Sequence, residues 1–289
     1  MGAPDDAAAA SFEPHRAHLV QVAYRMLGSV AEAEDAVQDA FMRWHAADRA
    51  AVVSPRGFLT RTVTRLCLDR LKSARMQREQ YVGTWLPEPL VEEPGFQLAH
   101  DLSVALLVTL ERLSPLERAA FLLHDVFELD FTEVADVLER SEAAVRQLAT
   151  RARDHVRRDK PRFVASRDQA QRLADAFQNA MRDGDVARLS TLLARDAIFY
   201  SDGGGKRSAA LHPIYGRDKI LRLLGGLRAK RGAVRPDQVR RVWINGMPGF
   251  VLRDADGVET LALELADADS IGALYSVRNP DKLRHLAPS

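Results

Sequence analysis

The spacing of apolar residues changes once along this chain, and the change divides it. Up to about residue 158 apolar positions recur every three to four residues: Leu19, Val22, Ala23, Met26 and Leu27, then Ala36, Val37, Ala40, Phe41 and Trp44, then Phe58, Leu59, Val63, Leu66, Cys67 and Leu71. That spacing lays one apolar stripe along a helix. Beyond Pro161 come two more such stretches, 166–183 and about 185–194. Short strand-like pieces follow at Ala197–Tyr200, Val239–Ile244, Gly249–Arg253, Thr260–Ala266 and Ser270–Val277, with a helix over Arg217–Leu227 among them. Asp202-Gly203, Asn245-Gly246 and Asp256-Gly257 mark the turns. Helices first and antiparallel strands after predict a multidomain chain, all-α at its N-terminal side and α+β at its C-terminal side, with a curved sheet wrapped on helices.

Local punctuation sharpens the boundaries. Gly28-Ser29 separates the first two helices, and Ser54-Pro55 starts the third with proline where its missing N–H costs nothing. Ser114-Pro115-Leu116-Glu117 reads as a capping box, opening a helix that ends near Phe127. A second helical unit begins near Gln97, a short helix covers Phe131–Leu138, and Ser141 caps a long one from Glu142 to about Arg158. Between Gly83 and Gly95 three prolines and two glycines predict an extended linker, with Trp85 and Leu86 as docking points.

The 289 residues suggest about two domains at roughly 150 residues each, and 46% apolar with 28% charged residues suits an ordinary globular chain. No apolar run is long enough to span a bilayer, and Met1 to Ala10 lacks the basic flank of an export signal. The lone Cys67 closes no internal disulfide and anchors no multi-cysteine zinc site. The expectation is a cytoplasmic protein with no membrane partner, metal or cofactor.

The net charge of +1 conceals strong local fields. Arg56 to Arg78 holds seven bases against Asp69 alone, and Arg140 to Arg162 holds eight against three acids. Glu79 to Asp101 between them has five acids and no Lys or Arg. This alternation predicts two polyanion contacts joined by a segment that avoids DNA.

The Pro115–Arg158 stretch has the form of a helix-turn-helix, whose second helix enters the major groove. Val145, Leu148, Ala149, Ala152 and Val156 fall on one face, to pack on Val134, Val137 and Leu138. Glu142, Arg146, Gln147, Thr150 and Arg151 then point outward, where arginine and glutamine suit base edges, while Arg153, Arg157 and Arg158 suit phosphates. Spacing alone also fits a helical hairpin with a merely solvated charged face. The 54–78 block is less specific: it fits either an aromatic and basic surface for an unstacked base or a buried helix with a wet basic stripe.

Several ordered motifs carry a resemblance. Ala33-Glu34-Asp35-Ala36-Val37-Gln38-Asp39-Ala40-Phe41, Pro55-Arg56-Gly57-Phe58-Leu59-Thr60-Arg61 and Leu68-Asp69-Arg70-Leu71 resemble region 2 of the extracytoplasmic-function sigma factors of bacterial RNA polymerase. Leu113-Ser114-Pro115-Leu116-Glu117-Arg118 and Val145 to Arg153 resemble their region 4, although Leu148 stands where many members carry arginine. Trp85-Leu86-Pro87-Glu88-Pro89-Leu90, Asp202-Gly203-Gly204-Gly205-Lys206 and Asn279-Pro280-Asp281-Lys282-Leu283 resemble signatures of the SigJ-like subgroup, whose members carry a fused SnoaL-like domain of the NTF2-like fold.

The resemblance implies region 2 over 11–78, a linker over 79–101, region 4 over 102–160 and an NTF2-like cone over 166–289. It implies an alternative sigma factor that binds core RNA polymerase at the beta-prime clamp and beta flap. Asp35, Val37, Gln38, Phe41 and Arg43 would dock on polymerase. Arg56, Phe58, Arg61, Arg65, Arg70, Lys72 and Arg75 would hold the −10 element of promoter DNA as it melts. Ser141, Glu142, Arg146, Gln147, Thr150, Arg151, Arg153 and Arg157 would serve the −35 element. The linker would thread a polymerase channel shaped for RNA. The fused domain would take the place of a separate anti-sigma protein through its contacts with linker and tail.

NTF2-like cones also host enzymes, and their pocket is a place for a small ligand. Tyr200, Asp202, His212, Asp218 and Trp243 are the candidates here, and each equally suits a structural role. Gly203-Gly204-Gly205-Lys206 is no phosphate loop, since Tyr200 and Arg207 stand where that motif needs glycine and a hydroxyl residue. A tight turn is expected, with Lys206 paired to a carboxylate. Two further readings stay open from the residues: a helix-turn-helix regulator with a ligand-binding C-terminal domain, and an NTF2-like enzyme with a helical extension.

Overall fold

The computed structural model describes residues 4–79, 81–92, 103–158, 166–232 and 235–286. It forms two compact units, Met1–Glu79 with Thr109–Asp159, and Gln80–Val108 with Lys160–Ser289. Helices from both expected helical domains therefore share the first unit, and Tyr81–Glu92, from the expected linker, falls in the second. The helical start expected at Gln97 lies outside the described residues.

In the first unit, α1 (Pro4–Leu27), α2 (Val30–Ala46) and α3 (Pro55–Glu79) form a bundle. Helix α1 starts well before Leu19, the first residue of its apolar stripe named above, because Ala7–Ala10 are strong helix formers. Gly28 ends it at φ +70, and the Ser29 hydroxyl caps α2 by accepting from the Glu32 N–H. Trp44 is 2% exposed, and its indole N–H donates to Ser11 Oγ at 3.1 Å, so the largest core side chain leaves no orphan donor.

The same unit holds the end of α4 (Val104–Glu111), α5 (Pro115–Phe121), α6 (Phe131–Leu138) and α7 (Glu142–Arg158). The Ser114/Glu117 capping box forms in both directions. Helix α5 widens into a π turn over Leu122–Val126 and stops at Phe127. A left-handed Glu139, φ +53, ends α6, and the Ser141 hydroxyl accepts from the Ala144 N–H to open α7.

The second unit contains α8 (Arg167–Asp183), α9 (Val186–Leu192), β1 (Leu193–Asp202), β2 (Ile214–Tyr215), α10 (Arg217–Arg231), β3 (Val239–Ile244), β4 (Met247–Asp254), β5 (Gly257–Leu265) and β6 (Ile271–Val277). The sheet order is β2-β1-β6-β5-β4-β3. Expected as antiparallel, it is mixed: β1 and β6 pair in parallel, because the chain reverses at β1/β2, β3/β4, β4/β5 and β5/β6 while α10 joins β2 to β3 without a reversal, leaving an even number. One face packs Phe199, Phe250, Leu263 and Leu274 against Leu173, Phe177, Leu192 and Ile220 of the helices. The other face buries Val251, Ala262, Tyr275 and Val277 under Leu86, Val91, Val104, Leu283 and Leu286.

Candidate nucleic-acid interface and linker hub

Helix α7 separates its faces as its spacing predicts. Val145, Leu148, Ala149, Ala152 and Val156 are buried, whereas Ser141, Glu142, Arg146, Gln147, Thr150, Arg151 and Arg157 are exposed. Arg146 lies over the Phe131 ring, 4.2 Å from its centroid, and pairs with Glu142 at 2.5 Å, which holds the guanidinium at the opening of the helix. Arg151 stands 3.5 Å from Glu117. Arg153 is half-buried and donates to Asp125 at 2.7 Å, so it ties α7 to the π turn instead of standing open to a phosphate. Leu148, which stands where many members carry arginine, belongs to the packed stripe. The Arg158 side chain lies outside the described residues.

On α3, Arg56, Arg61 and Lys72 are exposed, with Phe58 tilted against Trp44 at 5.6 Å. Arg65 pairs with Glu139 at 2.6 Å. Arg70 donates to the Glu32 carbonyl at 2.9 Å and to Asp39 at 2.7 Å, a clamp between α3 and α2. The Arg75 side chain lies outside the described residues.

On α2, Asp35, Gln38 and Arg43 are exposed and Phe41 is half-buried against Phe12 at 5.1 Å. Val37 corrects the expected docking set: it is 2% exposed and fills the bundle core, because its position falls in the Ala33, Ala36, Ala40 and Trp44 stripe. Met42, on the same helix, is an apolar side chain 58% exposed.

The second unit brings the three subgroup signatures together at one carboxylate. Asp202 is 0% exposed and accepts from the Tyr81 hydroxyl at 2.5 Å, the Leu86 N–H at 2.9 Å, the Gly204 N–H at 3.0 Å and the Lys282 ammonium at 2.8 Å. Four donors on one buried carboxylate satisfy its lone pairs and offset its desolvation. Lys282 also donates to the Leu86 carbonyl and sits 4.0 Å from the centroid of the Trp85 ring. Asn279 donates to Tyr81 Oη at 2.9 Å, while burial, then Asp202, pushes the Tyr81 phenol above its ordinary range. Lys206 pairs with Asp281 at 2.5 Å. Gly204, at φ +61, passes so close to Asn279 that a Cβ would lie 2.3 Å from its side-chain nitrogen.

Further along, the linker joins the sheet edge. Leu90 and Asn245 exchange hydrogen bonds, Leu90 N–H to Asn245 Oδ1 at 3.0 Å and Asn245 N–H to the Leu90 carbonyl at 2.9 Å. The Glu92 N–H donates to the Trp243 carbonyl at 2.9 Å. Pro87 and Pro89 are buried. Glu88 lies 3.3 Å from His285 and Glu92 2.8 Å from Arg167, so both linker carboxylates whose side chains are described have basic partners in this unit.

Tyr81 and Asn245 were not singled out from sequence. Asn245 had a signal, since Asn-Gly marks a two-residue hairpin and this Asn adopts φ +50. Nothing in the sequence pointed its amide at Leu90.

The candidates for acid–base chemistry have other surroundings. Tyr200 stacks on Tyr275 at 5.1 Å, Asp202 is the hub, Trp243 lies beneath Arg167 at 4.5 Å, and His212 and Asp218 are exposed. Among the described residues no group of His, Cys, Asp or Glu is arranged to hold a metal ion, and no helix is long and apolar enough to cross a membrane.

Comparisons with known proteins agree with this arrangement. Residues 12–76 match the model of Sigma-70 region 2, and residues 103–156 match that of Sigma-70, region 4. The chain is 39% identical to the ECF RNA polymerase sigma factor SigJ of Mycobacterium tuberculosis, over 94% of this chain and 91% of that one. It is 36% identical to a probable ECF RNA polymerase sigma factor SigI of the same species, over 65% of this chain and 67% of that one. The crystal structure of M. tuberculosis SigJ superposes with a TM-score of 0.81 at 37% identity, covering 96% of this chain and 98% of that one. Two sigma modules in order, with a helix-backed mixed sheet behind them, make this chain a member of the extracytoplasmic-function family of alternative RNA polymerase sigma factors.

Proposed function

We propose that this sigma factor reads its promoter at two places and carries its own control over the linker between them. Glu142, Arg146, Gln147, Thr150 and Arg151 read the −35 element as duplex, with Arg157 on phosphate. Arg56, Phe58, Arg61 and Lys72 hold the melted −10 strand, where a base must leave the stack. Asp35, Gln38, Phe41 and Arg43 meet the polymerase clamp, and region 4 meets the beta flap. The protein itself catalyses nothing in this reading and needs no cofactor.

The observation that carries the control half is the capture of Tyr81–Glu92 by Asp202, Lys282 and Asn245. A linker held in that way is withheld from a polymerase channel, and tethering gives even a weak contact a high effective concentration. Run-off transcription with purified core polymerase tests both halves. Full-length protein should start transcripts at a defined promoter, and Asp202→Asn, Trp85→Ala or removal of residues 166–289 should change the yield. No start from any member of a promoter library ends the first half, and unchanged yield in all three variants ends the second.

A further inference from the structure

Two arginines of the second unit, Arg172 and Arg188, line one cavity. On α8, Gln169, Arg172, Leu173 and Ala176 fall at i, i+3, i+4 and i+7, and so share one helix face. On α9, Arg188, Thr191 and Leu192 repeat the i, i+3, i+4 spacing. The left-handed Gly184 turns the chain between the two helices, and these faces border a cavity of about 460 Å³ whose far side is the β5–β6 turn at Asp269.

The cavity combines two chemistries. Leu173 and Leu192, both buried, and Ala176 packed against them belong to the core, whose edge makes an apolar floor. Above it stand the exposed Arg172 and Arg188. Among the described residues neither guanidinium has a hydrogen bond or an ion pair, whereas Arg167, Arg182, Arg217 and Arg228 of the same unit each have a partner. Gln169 Oε1 accepts from the Ser166 N–H in the capping box, which leaves its amide N–H groups for a ligand. Asp269 sets one negative charge against the two positive ones. No residue of the Asp202 hub borders the cavity, nor do Phe199, Phe250 or Leu274 of the helix-packed sheet face. It is thus separate both from the linker contacts and from the space that the sheet encloses.

Unpaired guanidinium groups match the two oxygens of a carboxylate, and a floor of leucine and alanine matches a short alkyl chain. A volume of this size suits a small molecule. We propose that the cavity binds a small aliphatic carboxylate, its oxygens on Arg172 and Arg188 and its chain on Leu173, Ala176 and Leu192.

The test titrates octanoate into the full-length chain near neutral pH by isothermal titration calorimetry. One-to-one binding with Kd below about 1 mM is expected. Octanamide keeps the chain without the charge and inorganic phosphate keeps charge without the chain, so each should bind at least about tenfold more weakly. Arg172→Gln with Arg188→Gln should weaken octanoate at least about tenfold. Lys219→Gln with Arg222→Gln removes two exposed charges of the same unit outside the cavity and should change binding less than about twofold. Thr191→Trp, at an exposed position on the wall, fills the cavity while keeping both cations and should weaken octanoate at least about fivefold. Absence of octanoate binding, a loss in the arginine pair no larger than in the Lys219 and Arg222 control, or unchanged binding in Thr191→Trp overturns the site. Octanamide or phosphate binding as tightly as octanoate overturns the ligand class.

Discussion

Asp202 and Lys282, 80 residues apart in sequence, form a 2.8 Å ion pair in which the aspartate side chain is wholly buried and the lysine side chain 12% exposed. Each has further partners, so the pair stands at the centre of a hydrogen-bonded network that also holds Tyr81, Leu86 and Gly204. Breaking such a pair from one side leaves a buried charge uncompensated, at about 3–5 kcal/mol. Lys282→Ala should therefore lower the unfolding free energy of the second unit by roughly that amount, and protease should cut within Tyr81–Glu92 sooner. Lys282→Ala with Asp202→Asn should recover part of the loss. Equal stability of single and double variants, measured by chemical denaturation, would contradict the network.

On the recognition helix, Arg146 and Arg157 are expected to fail differently. Arg146→Ala should remove about 1–3 kcal/mol of discrimination at one −35 position. Arg157→Ala should weaken binding evenly across sequences and reduce the salt slope by about 1. Competition binding to a panel of −35 variants at several salt concentrations separates the two, and identical profiles would remove the assignment of faces.

His18 supplies a pH dependence. Burial, followed by the charges of Arg56, His15 and Arg25, lowers its pKa from 6.5 to about 4, and its ring lies 5.1 Å from that of Phe127. The folded state thus favours neutral imidazole more than the unfolded state does. Its contribution is complete above about pH 6.5 and is lost as pH falls toward 4, with a slope approaching 1.4 kcal/mol per pH unit for one proton. His18→Gln should flatten the unfolding curve between pH 6.5 and 4 relative to the parent chain.

The single thiol reports on integrity of the first helical bundle. Cys67 is 0% exposed and burial pushes its pKa up to about 12, so thiolate is scarce near neutral pH. A thiol reagent should label it only at the rate of opening of the bundle. Rapid labelling of native protein at pH 7.5 would show the α3 core to be open.

What was legible in the sequence follows from what repeats locally. The buried stripe of α7, the capping box at Ser114 and the hairpin at Asn245-Gly246 depend on neighbours within a few residues, and each was readable. Val37 was misread because a motif gives the position of a residue on a helix but not the partner helix that covers it. Arg70 was read as a DNA contact through the resemblance and Arg153 through its place beside the outward face of α7, while Asp39 and Asp125 reach them across 31 and 28 residues. The signatures at 85–89, 202–206 and 279–283 could be recognised, but their meeting at one carboxylate needed the sheet, which sets β1 beside β6.

The span between Leu86 and Lys282 has a consequence for biosynthesis. They are 196 residues apart, so the linker leaves the ribosome long before the ammonium that fastens it exists. At about 5–20 residues per second, the nascent chain passes on the order of ten seconds or more with its linker unfastened. Under the control proposed above, each newly made molecule begins ungoverned, and restraint waits for residue 282 to be added.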